Sequence, residues 1–284
     1  MRHPDLHITQ IPAISAIYFG LLNSGYDFYH LERGEQHTAS VHHFSTAIKP
    51  LSFFRQARQN TCEAYPYWPR AALMETAAFH LTSDCADWNS RDALYKHVMN
   101  AGNISDDERG AAFWSWLDQF PEALKQVMDS PHFVHYLQWE RDWIAEQNIR
   151  YANELQQIAD LLHRSVDKYH SPVKNMQIVL NPIKCVYSAD YHLVDDHFVF
   201  SSGRFRMASI VHEFLHHVAH PVVAVHRQEI LSNPIEYPEI ERSYYAAGQA
   251  NAFEEYMVRQ LTQDAMKDCL PNDLHHYLQL LLKQ

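Results

Sequence analysis

Apolar residues recur at helical spacing through most of this chain, and only two short runs read as strands. Between 130 and 168, Phe133, Val134, Leu137, Ile144, Tyr151, Leu155, Ile158, Leu162 and Val166 return at intervals that keep one face apolar. Ser130 ahead of Pro131 reads as a cap followed by proline at the first helical position. The pattern therefore predicts one very long helix, or two in sequence, packed across the back of a small sheet. Ser105-Asp106-Asp107-Glu108 opens another helix that carries Phe113, Trp114 and Trp116, with Pro121 breaking or kinking it. Asn272-Asp273 caps a final amphipathic helix through Leu281. Segments near 10–23, 43–58 and 68–80 also read as helical, and 59–68 as a loop or connector. The strands are Met176–Leu180, closed by Asn181-Pro182, and His197–Ser201, set between Asp195-Asp196 and Ser202-Gly203. These elements predict a predominantly helical α+β fold.

A helical run between Gly203 and Pro221 carries the candidate chemistry. His212-Glu213-Phe214-Leu215-His216 is an instance of H-E-x-x-H. On a helix, residues i and i+4 share a face, so the two imidazoles can bind one Zn²⁺ while Glu213 serves as general base to water. With 21 histidines in the chain, a shuffled sequence would produce the motif about one time in ten, so its surroundings must decide. They favour a metal site: Ile210, Val211, Phe214, Leu215 and Val218 suit a buried helix, with Gly203 before it and Pro221 after it. A catalytic zinc needs a third protein ligand. His220 lies eight residues from His212, about 12 Å along the axis, and a helix-end role suits it better. His217 points about 100° away and reads as packed or solvated. The remaining source is the helical run Asn251–Arg259, where Glu254 and Glu255 are adjacent; one of the two is expected to be a ligand and the other to face water.

The pair of segments, HEFLHHVAHP and later EEYMVR, resembles the gluzincins, zinc peptidases with H-E-x-x-H on one helix and a glutamate ligand on a later one. More narrowly it resembles an uncharacterised bacterial family of zincin-type proteins, over about residues 195–262. His220 and Glu254 stand where that family tends to have Asn. The resemblance implies that Glu255 is the third ligand, because Met257, Val258 and Leu261 follow it at the family's offsets. It also implies a Tyr or His that donates to the oxyanion: Tyr244 or Tyr245, with His226, His275 and His276 as alternatives. It implies further that the 197–201 strand is a sheet edge able to pair with an extended substrate. A carboxylate should orient a ligand histidine, but nothing selects among Asp190, Asp195 and Asp196.

Composition narrows the partners. The 284 residues carry a net charge of −11 with no basic cluster, which argues against nucleic acid and anionic membrane. Seven glycines and no phosphate-cradling glycine motif argue against a nucleotide fold. Cys62, Cys85, Cys185 and Cys269 are scattered, and the first ten residues lack a signal-peptide pattern, so a cytoplasmic setting is expected. The expected organisation is an N-terminal helical region, 1–130, and a zincin-like catalytic unit, 131–284. The expected activity is zinc-dependent hydrolysis of a peptide or protein amide. Two other readings stay open: a zinc-binding protein without activity that binds a partner, and a small-molecule amidohydrolase. An intact Glu213 favours catalysis, since a purely structural zinc has no use for that carboxylate.

Overall fold

The computed structural model describes residues 6–26, 35–61, 70–100, 114–186, 188–233, 236–237, 240, 244–245 and 248–283. The fold is predominantly helical α+β around a four-stranded mixed sheet in the order β1-β2-β4-β3. The strands are β1 (Ile8–Thr9), β2 (Asn175–Leu180), β3 (Ala189–Val194) and β4 (His197–Ser202). β1 and β4 run parallel to β2, and β3 returns antiparallel on β4. The β3–β4 hairpin turns through Asp195, whose φ of 55° suits an Asp side chain that tolerates the left-handed region.

Helices cover both faces of the sheet. The first group is α1 (Pro12–Asn23), α2 (Glu35–His42), α3 (Ser52–Thr61), α4 (Arg70–Ala78), α5 (Arg91–Asn100) and α6 (Phe120–Met128). The second is α7 (Pro131–Arg150), α8 (Ala152–Tyr169), α9 (Met207–Val225), α10 (Arg227–Ser232), α11 (Gln249–Met266) and α12 (Leu274–Leu281). Strand alternation sorts the sheet's side chains between two cores. Ile178, Leu180, Phe198 and Phe200 join α8, α9, α11 and α12. Val179 and Val199 join α1, α3, α4 and α6 on the other face. There Gly20 lets the Phe54 ring close on α1; a Cβ at that position would lie 2.6 Å from the ring.

The 130–168 pattern becomes two helices, α7 and α8, meeting at Tyr151. Ser130 caps α7 by accepting from the His132 N–H. Asp273 caps α12 by accepting from the His275 and His276 N–H groups. Several expectations need correction. Pro121 stands in the first turn of α6, where a missing N–H costs nothing, and so starts a helix that it was expected to break. The 43–58 segment is helical only from Ser52, and 59–61 complete α3. The rest of the expected 59–68 connector, and the start of the Ser105 helix, lie outside the described residues. Pro221 lies inside α9, which runs on to Val225 although the ring removes the donor to the His217 carbonyl. The 197–201 strand is not a sheet edge: as β4 it is paired on both sides, and β3 takes the edge. Among the described residues, no helix is long and apolar enough to cross a membrane.

Candidate metal centre

α9 buries Ile210, Val211, Phe214, Leu215, Val218 and Ala219 on its core side, which turns His212, Glu213 and His216 toward α11. α11 begins after Gly248, whose φ of 107° lies where side chains are strained, and buries Ala252, Phe253, Met257, Val258 and Leu261. The two helices pack side by side, and the seam between them carries both Glu254 and Glu255.

His212, His216 and Glu255 converge there. His212 Nε2 and His216 Nε2 are 3.2 Å apart, and Glu255 Oε2 lies 3.3 Å from His216 Nε2 and 3.5 Å from His212 Nε2. The donor set can be tested against zinc. Tetrahedral bonds of about 2.0–2.1 Å place neighbouring ligand atoms about 3.3–3.4 Å apart. The triangle has that size, and two imidazoles with one carboxylate are a donor set zinc accepts. Three protein ligands would leave a tetrahedral ion one further position.

Around this triangle the polar atoms are assigned. Glu255 Oε1 accepts from Arg259 Nε at 2.6 Å, which leaves Oε2 for the histidines. Glu254 also faces inward: Oε1 accepts from His216 Nδ1 at 3.0 Å and Oε2 from His220 Nδ1 at 2.8 Å. The expectation that one glutamate faces water is therefore corrected. Two adjacent residues differ by about 100° around a helix, and the seam spans that angle because histidines on three successive turns of α9 line it. His220 lies within α9 and does not mark its end, and its exposed imidazole reaches Glu254. His212 Nδ1 lies 3.5 Å from Thr262 Oγ1, whose hydroxyl donates to the Val258 carbonyl at 2.7 Å.

The charges follow from burial and pairing. Burial works against the Glu254 carboxylate, but His216 and His220 outweigh it and bring its pKa down to about 2. Burial likewise opposes the His216 imidazolium, and the bonds to Glu254 and Glu255 overcome it, raising the pKa to about 10. Burial pushes Glu213 up to about 8, with His216 pulling the other way. Glu213 and His212 line a cleft of about 290 Å³ together with Ser209, Arg259, Thr262 and Gln263. A larger cavity of about 490 Å³ lies on the His217 side of α9, where His217 Nε2 meets Ser171 Oγ at 3.0 Å.

The remaining candidates fall in different places. Tyr244 is exposed, its ring 5.8 Å from the Arg259 guanidinium. The Tyr245 hydroxyl accepts from the Tyr237 N–H and so is tied to backbone. His226 and His275 bond to each other at 3.0 Å beyond the far end of α9, about 20 Å along the axis from His212. His276 lies in the first turn of α12, where its backbone N–H donates to the Asp273 cap. Asp190 pairs with Lys184, Asp196 with Lys174, and Asp195 forms the hairpin turn. Sequence reasoning missed three neighbours of the triangle: Glu254 as the orienting carboxylate, Arg259, and Tyr191 of β3. The Tyr191 ring stacks on His216 at 6.4 Å and 11°, and burial beside Glu254 and Glu213 raises its hydroxyl well above the usual range. The E-E-x-x-x-R spacing of 254–259 held a signal for Arg259, since i and i+4 ions meet on a helix; nothing local marked Tyr191. No family model, curated protein or solved structure matches this chain.

Proposed function

We propose that the protein is a zinc-dependent hydrolase of peptide or protein amides, built as a zincin-like unit. His212, His216 and Glu255 hold the ion. The ion, when bound, supplies Lewis-acid polarisation of a carbonyl and acidification of water. Glu213 takes the proton from the attacking water and returns it to the leaving amine. Burial raises the Glu213 carboxyl to about 8 in the metal-free site, and a dication beside it would favour the ionised form that the base role needs. Glu254 orients His216 by accepting from Nδ1, which turns the Nε2 lone pair toward the ion. Of the two tyrosines suggested for the oxyanion, Tyr244, beside the cleft residue Arg259, suits the role better than Tyr245, whose hydroxyl already serves Tyr237. The cytoplasmic setting accompanies this reading and agrees with free thiols at Cys85, Cys185 and Cys269.

One observation carries the proposal: a ligand triangle of zinc's dimensions has its His212 corner in the cleft that Glu213 also lines. A small amide substrate is the second reading, favoured by a cleft of about 290 Å³, at the lower end of ligand-site volumes. Zinc-loaded wild type should cleave members of a broad peptide library. Glu213→Gln should keep its zinc and lose about 10²- to 10⁴-fold in rate, the usual contribution of a general base. Zinc-loaded wild type that cleaves neither peptides nor small amides would exclude hydrolysis and leave a zinc-binding protein.

A further inference from the structure

We infer that Arg259 is a positioning residue that holds Glu255 to a single ligating oxygen and so keeps one coordination position free for substrate chemistry. The inference rests on the zinc-site reading above and adds to it a cause for the open position. The two oxygens of the Glu255 carboxylate have different partners. Oε1 is held by Arg259 Nε at 2.6 Å, a charge-assisted bond between residues four apart on α11. Oε2 alone faces His212 Nε2 and His216 Nε2, at 3.5 and 3.3 Å.

A carboxylate can bind a metal through one oxygen or two, and its oxygens are only about 2.2 Å apart. A small rotation would bring Oε1 onto the ion as a fourth protein donor. The position that a hydrolytic zinc keeps for water would then be filled. Rotation requires Oε1 to leave Arg259. Glu255 is only 3% exposed, so no solvent stands ready to replace that partner. Arg259 also lines the cleft that His212 and Glu213 line. An ordinary surface ion pair at this spacing constrains little. This pair is different because one partner is buried and its second oxygen is committed to the histidines.

Cobalt(II) in place of zinc reports coordination number directly: four-coordinate sites absorb strongly in the visible, and higher coordination loses that intensity. Full-length wild type loaded with Co²⁺ should show the strong band. Arg259→Met should bind Co²⁺ and lose it, and Arg259→Lys, which keeps a cation opposite Oε1, should restore it. A band of unchanged intensity in Arg259→Met would overturn the role of Arg259 while leaving the metal site standing. Wild type that takes up no Co²⁺ would overturn the site and this inference together. A second measurement needs no variant. With ¹³C-carboxyl glutamate, the zinc-loaded minus metal-free infrared difference should show the wide splitting of a carboxylate bound through one oxygen. The narrow splitting of two-oxygen binding would overturn the inference even if Arg259→Met failed to fold.

Discussion

Glu254 decides which nitrogen of His216 is available to a metal. A carboxylate can only accept, so the ring nitrogen facing it must carry the proton, and Nε2 is left toward Glu255 and His212. The same carboxylate takes the His220 N–H, which fixes its own orientation. Partners of this kind typically govern 10- to 100-fold of metal affinity. Glu254→Gln should therefore weaken zinc binding about 10- to 100-fold in a chelator-competition titration; an unchanged affinity would remove Glu254 from the site. Legibility at this scale followed locality. His212, Glu213 and His216 sit within five residues, and the helix period alone puts the two imidazoles together. Glu254 and Glu255 were visible as a pair, but their separate roles depend on which histidine nitrogen each meets across the seam. Tyr191 is reached only through the β3–α9 packing, which no local spacing reveals.

At the scale of elements, caps wrote two helix starts into the chain. Ser130-Pro131 and Asp273 act where their side chains say they should. Pro221 was read as a stop, yet α9 passes through it because Val218, Ala219, Val222 and Val223 remain buried on both sides of the ring. β3 was missed because its sequence, ADYHLV, mixes polar and apolar residues; Asp190 and His192 face a buried polar network, which replaces the usual water-facing side of a strand. α7 carries a further buried acid. Glu140 receives Ser15 Oγ at 2.6 Å and Gln10 Nε2 at 2.7 Å on one oxygen, and Asn181 Nδ2 at 2.9 Å on the other, joining α1, α7 and the end of β2. Burial outweighs these bonds and raises its pKa from 4.5 to about 7. The folded state thus holds this proton more tightly than the unfolded chain. Its contribution is complete below about pH 4.5 and is lost as pH rises through about 7, amounting to about 3 kcal/mol. Glu140→Gln removes the titration. In urea unfolding, the stability difference between wild type and variant should shift by about 3 kcal/mol against wild type between pH 4.5 and 7.5. Parallel pH profiles would show that Glu140 does not titrate there.

In the whole molecule, the two cores meet at the sheet, and the helical half without ligands is joined to the half that has them. Glu75 of α4 is fully buried and accepts from Tyr18, Lys184 and Ser201, with His192 Nε2 at 2.7 Å. Burial opposes the Lys184 charge, but Asp190 and Glu75 outweigh it. Asp190 and His192 are held by this network on one face of β3, and Tyr191 between them meets His216 on the other. The first 130 residues therefore help to place the strand beside the metal helix. Their helices were visible as separate patterns; the buried charges that join them to β3 were not, because nothing local marks Glu75 or Lys184 as buried, and Asp190 stood out only as one of three carboxylates near the metal helix. Everything said of function depends on one ion in the seam between α9 and α11. The direct test is metal content by mass spectrometry, after zinc reconstitution and dialysis, for wild type and His216→Ala. The expected result is about one zinc per wild-type chain and close to none in the variant. Wild type without zinc, or a variant that keeps it in full, would contradict the metal centre.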